Sequence, residues 1–204
     1  KNEEVSSSNP YMAGIPSCTF HMKYLQLLVN SNFVVVEIGQ TINQDTKEIT
    51  RSINAVHSPG MIQHDIVNID ISDRYLSVLW CEEYNSVSQP HSTEPYYYCG
   101  LSFIDINTGK IKVSESDIES IQSLLMKYKP KELVIYSNNS IPEISQVCNI
   151  VHQRKTEETN ANNISYQNKI LSDYYKITSI LTPIEHIGTE KYPCATTAFV
   201  IMLE

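Results

Sequence analysis

The segment Asn107-Thr108-Gly109 constrains this chain more than any other stretch. It separates Phe103-Ile104-Asp105-Ile106 from Ile111-Lys112-Val113, two runs rich in aromatic and β-branched side chains. Asn and Gly tolerate the left-handed backbone of a tight turn, so the pattern predicts a β-hairpin. With the apolar stretch Arg74–Cys81 before it, and Tyr96–Ile106 as the first arm, three antiparallel strands are expected. Ser116 with Glu119 has the spacing of a capping box. Ile118, Ile121, Leu124 and Leu125 then place an apolar stripe on a helix that stops before Pro130. Glu132–Tyr136 predicts a further strand, Pro142–Val151 a helix, and 156–163 an exposed loop. Three strands, helix, strand, helix is an α/β order.

Both sides of this block read differently. Residues 1–9 are polar and aperiodic and predict a tail. Phe20, Tyr24, Leu27 and Leu28 recur at helical spacing behind Ser17 or Thr19, so a helix is expected over 18–30 with that stripe buried. Phe33 to Val36 predicts a buried strand. Residues 49–56 alternate in the period-2 pattern of a strand with unlike faces, ended by His57-Ser58-Pro59-Gly60. The pattern change puts the start of a second domain near Asp70. Downstream, 166–176 reads as helical, and Thr182-Pro183 with Glu185 supplies a cap, a first-turn proline and a capping-box acid. Pro193 opens an apolar stretch through Leu203 with no stop signal, as in a chain cut inside a helix.

Charge narrows the function classes. The 204 residues carry 15 basic and 23 acidic side chains, for a net charge of −8. Residues 1–60 hold 4 basic against 5 acidic, and 61–204 hold 11 against 18. Counterion release dominates DNA affinity, so the second part is a poor phosphate binder and suits a basic protein partner better. No run approaches the roughly 18 apolar residues of a membrane helix, and the start lacks a signal-peptide pattern, so no membrane association is expected. Five cysteines, odd in number and without a C-x-x-C pair, signal neither a disulfide framework nor a zinc site and fit a reducing, intracellular compartment.

Several constellations invite chemistry, and each has a plainer explanation. Thr108-Gly109-Lys110 lacks the rest of a phosphate loop and is followed by a strand. Asp70, Asp105, Glu115 and Glu132 would serve a metal-dependent nuclease if they converged at one sheet edge. Carboxylates also cap helices and flank turns. Cys18 and His21 stand three apart at a helix start, without an orienting acid in view. Lys127, Lys129 and Lys131 lie where a helix ends and offset its negative pole. Tyr96-Tyr97-Tyr98 must alternate faces, which favours packing over a stacking platform for bases.

A resemblance joins these elements. Pro10-Tyr11-Met12-Ala13-Gly14-Ile15-Pro16, the helix with Tyr24 and Leu25, the Val-rich strand ending at Gln40, and Val56-His57-Ser58-Pro59-Gly60 resemble the second half of the mismatch-recognition domain of MutS proteins. Tyr75-Leu76-Ser77-Val78, Gly100 through Lys110 and Pro130-Lys131-Glu132-Leu133 resemble the MutS connector domain. Tyr166-Gln167-Asn168, the 182–187 segment and Tyr192 through Thr197 resemble the connector's end and the first lever helix. They are most like the branch found in large DNA viruses and octocoral mitochondria. A composition of 12 Lys against 3 Arg agrees with an AT-rich source of that kind.

The resemblance implies a partial α+β mismatch-recognition domain at 1–60, a linker at 61–73, a ribonuclease-H-like α/β connector at 74–164 and a transition into the helical lever at 165–204. It implies Met12 and Cys18 as the residues nearest DNA, and no catalytic, metal or cofactor residue in this segment. ATP and magnesium belong to the parent protein. The implied partners are double-stranded DNA, a second copy in a homodimer, and a protein on the acidic connector; the implied location is viral or mitochondrial. The family's Phe-x-Glu mismatch reader lies upstream of the Met-Ala-Gly-Ile-Pro segment and has no counterpart here. Cys18 and Gly39 replace the His or Arg and the Glu common in relatives.

Overall fold

A computed structural model describes residues 14–43, 47–61, 75–84, 96–141, 144 and 146–204. Chain contacts divide them into two units: 14–57 in the first, and 58–61 with 75–204 in the second.

In the first unit a helical segment precedes a hairpin. The segment comprises α1 (Ser17–Thr19), a π turn (Phe20–Tyr24) and α2 (Leu25–Asn30). The π turn is a wider turn that takes an additional residue, and it rotates everything after it relative to an uninterrupted α-helix. This overturns the expected stripe: Leu25 and Val29 are buried, whereas Leu27 and Leu28 are exposed. Antiparallel strands β1 (Val35–Ile42) and β2 (Ile49–His57) follow, with a register shift between Glu37 and Ile38. The strand expected over Phe33–Val36 starts only at Val35, and it is not a buried one. Phe33, Val34 and Val36 are exposed, and in β1 it is the other face, Val35, Glu37 and Gly39, that is half-buried.

The second unit is built on a five-stranded mixed sheet. Strands β3 (Tyr75–Tyr84), β4 (Tyr96–Asp105) and β5 (Lys110–Asp117) form the expected antiparallel meander. Strands β6 (Glu132–Tyr136) and β7 (Val151–Arg154) add in parallel on the other side of β3, giving the order β5-β4-β3-β6-β7. This is the α/β architecture expected of the connector. Gly109 takes φ +68° in the β4–β5 turn, where a side chain would be strained.

Strand alternation sends side chains to two cores. Leu79, Cys81, Cys99, Leu101, Phe103, Leu133 and Ile135 pack with Ile121 and Leu125 of α3 (Ile118–Tyr128). Val78, Trp80, Tyr98, Val134 and Tyr136 pack with Cys194 and Ala198 of the last helix. After β7 come a 3-10 turn (Thr156–Glu158), α4 (Ile164–Tyr175), α5 (Pro183–Ile187) and α6 (Pro193–Leu203). Leu171 of α4, Ala161, Phe199 and Val200 form a third cluster under α6.

Several local expectations change. The N-cap of α3 is Asp117, whose carboxylate accepts the Ser120 N–H at 2.8 Å. α3 begins at Ile118, directly after the last paired residue of β5, Asp117, so Ser116 lies one residue too early to be its cap. The helix expected over 142–151 falls partly outside the described residues, and its final residue, Val151, begins β7. The loop expected over 156–163 contains a helical turn and the fully buried Ala161. At α5 the capping box is found as expected: Glu185 Oε2 accepts from the Thr182 N–H at 2.9 Å, and Thr182 Oγ1 accepts from the Glu185 N–H at 3.4 Å. Tyr97 and Tyr98 enter opposite cores and Tyr96 is exposed, so this run packs instead of stacking.

Candidate nucleic-acid interface and relay contacts

Of the two residues implied to lie nearest DNA, Met12 lies outside the described residues, as does the linker 61–73 apart from Met61. Cys18 is exposed in α1. One turn on, His21 joins a small polar cluster. Glu37 Oε2 of β1 stands 3.4 Å from His57 Nε2 of β2 and 3.7 Å from His21 Nε2, and the two imidazole rings meet edge-on at 6.3 Å. One carboxylate thereby ties the helical segment to both strands. The cluster presents no concentrated positive charge. The described residues of this unit carry Lys23, Lys47 and Arg51 against Glu37 and Glu48.

Among the described residues of the second unit the nuclease constellation does not assemble. Asp105 is buried, and its carboxylate accepts the Asn107 N–H at 3.1 Å and the Thr108 hydroxyl at 2.6 Å. It is spent on holding the hairpin turn. Glu115 accepts the Ala195 N–H at 2.8 Å, at the start of α6. Glu132 is buried at the start of β6, and Asp70 lies outside the described residues. Among the described residues no three His, Cys, Asp or Glu side chains are grouped to hold a metal ion.

Two of these acids instead make contacts that sequence reasoning did not assign. Glu132 Oε2 accepts the Ser58 hydroxyl in a short bond and the Gly60 N–H at 3.4 Å, while Oε1 pairs with His152 Nε2 of β7 at 2.8 Å. The carboxylate sits between hydroxyl and imidazole, whereas a nucleophile needs the imidazole in the middle. The arrangement is therefore a clasp that holds the buried Ser58-Pro59-Gly60 turn against the sheet. Its signals were two separate motifs, Ser58-Pro59-Gly60 and Pro130-Lys131-Glu132-Leu133, with nothing in either to indicate that they meet.

The second contact fixes α6. Glu115 lends a negative charge and an acceptor to the helix N-terminus, where unpaired N–H groups and the positive dipole end favour it. Beneath it, a Cβ at Gly100 would run into the backbone of Cys194 and Ala195, so only glycine lets α6 lie this close to β4. Burial, with the carboxylates of Glu82 and Glu115 nearby, pushes the Cys194 thiol up to about 12, so it remains a neutral packing group. Residues 194–200 are all buried.

Comparison with known proteins bears on the family. Residues 79–198 match the family described as MutS domain II. A DNA mismatch repair protein MutS of Parabacteroides distasonis is 30% identical over 130 residues, which is 63% of this chain and 13% of that protein. The chain thus spans a small part of the length of the relative it matches.

Proposed function

This chain belongs to the MutS family, whose domain II covers more than half of it, and we propose that it serves as the connector of a longer DNA mismatch repair protein. In that role the second unit relays conformational state between an ATP-hydrolysing part outside this chain and a DNA-docking part to which the first unit contributes. The observation that carries the reading is the attachment of α6 to the sheet. Gly100 and Glu115 fix the N-terminus of a helix whose next residues are all buried, and a relay needs such a rigid coupling. The segment itself contributes no chemistry. ATP and magnesium act elsewhere in the assembled protein, and the partners are double-stranded DNA and a second copy of the protein.

The test is a titration of the protein carrying this chain with mismatched and matched duplexes, with and without ATP, for the wild type and Gly100→Ala. We expect a mismatch preference in both, and an ATP-induced change in DNA affinity that Gly100→Ala diminishes at least several-fold. Equal affinity for the two duplexes removes mismatch recognition. An undiminished ATP response in the variant removes the relay. A second reading rests on the 11 basic against 18 acidic residues of 61–204, a surface suited to a basic protein partner. Pull-down by that surface, abolished by raised salt, distinguishes it.

A further inference from the structure

We propose that Cys81 and Cys99 are a thiol–disulfide pair, which a small-molecule disulfide such as glutathione disulfide closes across the centre of the sheet. The two residues are direct partners on β3 and β4. Their sulfur atoms stand 2.8 Å apart, with one thiol donating to the other. Directly paired antiparallel residues hold their Cα atoms about 4.5 or 5.5 Å apart, depending on the kind of pair. Both spacings fall inside the roughly 4.4–6.8 Å window of a disulfide, and since opposite Cβ atoms stand about 4.5–5.5 Å apart against the roughly 3.5–4.5 Å of a disulfide, closure draws the two side chains together locally.

None of the other described cysteines has this arrangement. Cys148 donates to the carbonyls of Pro130 and Ile150, at 3.1 and 3.2 Å. Cys194 belongs to the core on the opposite face of the sheet, and Cys18 is exposed in the other unit.

The chemistry balances with the named oxidant. One thiol loses its proton and attacks glutathione disulfide, forming a mixed disulfide and releasing one glutathione thiolate. The second thiol loses its proton and displaces the other glutathione. The chain gives up two electrons and two protons, one sulfur–sulfur bond forms and one breaks, and two glutathione thiols leave. Burial governs when this happens. Cys81 is 3% and Cys99 0% exposed, and the bond to Cys99, with burial, holds the Cys81 thiol well above its usual range. The closed sheet therefore excludes the oxidant, and the pair reacts while β3 and β4 are assembling or transiently open. Once formed, the disulfide is shielded from reductant in the same way.

The experiment refolds the chain from urea in a mixture of reduced and oxidised glutathione, then alkylates it under denaturing conditions and maps the peptides by mass. We expect two alkylation sites to be lost, with the Cys81 and Cys99 peptides joined until reductant is added. Cys81→Ser and Cys99→Ser each abolish the link, and Cys148→Ser, a buried control, leaves it. The linked form melts higher by on the order of 5 °C, reversibly with reductant. Mapping the folded chain held with glutathione disulfide in urea below its unfolding transition gives the same answer without a refolding step. Alkylation of all five cysteines, or a link through any other cysteine, overturns the proposal.

Discussion

The two units carry equally good strand patterns and bury them very differently. In the first, β1 and β2 alternate as cleanly as any strands in the chain, yet Ile53 is 68% exposed and the buried apolar residues are Leu25 and Val29. In the second, α3 covers one face of the sheet and α6 the other, and Leu101 is fully buried. Period-2 alternation thus specifies a strand without providing anything for its apolar face to pack against. Stability requires a well-buried second layer: among the described residues α3 and α6 supply one on each face of the second unit's sheet, whereas in the first the helical segment buries Leu25 and Val29 and leaves the strands at most half-buried.

The largest effect that would sharpen this contrast is on folding free energy. Leu101→Ala should cost about 2–5 kcal/mol in urea denaturation, whereas Ile53→Ala should stay within about 0.5 kcal/mol. Comparable losses would break the comparison. Hydrogen exchange is the next measure. Amides of β3 and β4 should approach the protection of global unfolding, and those of β1 and β2 should exchange through cheaper local openings. Equal protection would mean that the first unit has a core these contacts do not reveal.

A smaller effect is expected in acid. The Ser120 amide holds the Asp117 carboxyl below its ordinary 3.8, and the Thr182 hydroxyl and amide hold Glu185 below its ordinary 4.5. A lowered folded value contributes stability that is fully present above the ordinary value and is lost as pH falls through the folded one. The second unit should therefore weaken progressively below about pH 4, and Asp117→Asn, which keeps a cap without the charge, should flatten that slope. An unchanged slope would remove Asp117 from the account. The smallest effect concerns DNA: with a net charge of −8, the isolated chain should bind duplex no more tightly than roughly 10⁻⁴ M at physiological salt. Sub-micromolar binding would show that the first unit presents more than its charge implies.

What could be read in the sequence was local. The hairpin at Asn107-Thr108-Gly109, the α5 capping box and the alternation of the three tyrosines follow from short-range rules, and the structure contains them. The misses came where a tertiary partner decides. Ser116 has the spacing of a cap, but β5 stays paired with β4 through Asp117 and the helix starts one residue later than that spacing requires, so Asp117 is the cap. The stripe of Phe20, Tyr24, Leu27 and Leu28 assumed 3.6 residues per turn, and the π turn broke that count. β7 is a four-residue strand with a polar end, His152-Gln153-Arg154, and only its neighbour β6 makes it a strand. The Glu132 clasp and the Gly100 contact were invisible for the same reason, since each joins segments more than seventy residues apart.

Gly100 carries a consequence for how such a chain can vary. The space that a side chain at 100 would need is occupied by the backbone at 194 and 195, so no choice of residue in α6 can create it. Substitutions elsewhere in the sheet can be offset by a complementary change in a facing side chain, but this one cannot. A library randomised at position 100 alone, and equally one randomised at 100, 194 and 195 together, should return glycine. Only variants that lengthen or reroute the segment before Pro193 would release the constraint, which makes position 100 depend on loop length instead of on side-chain identity.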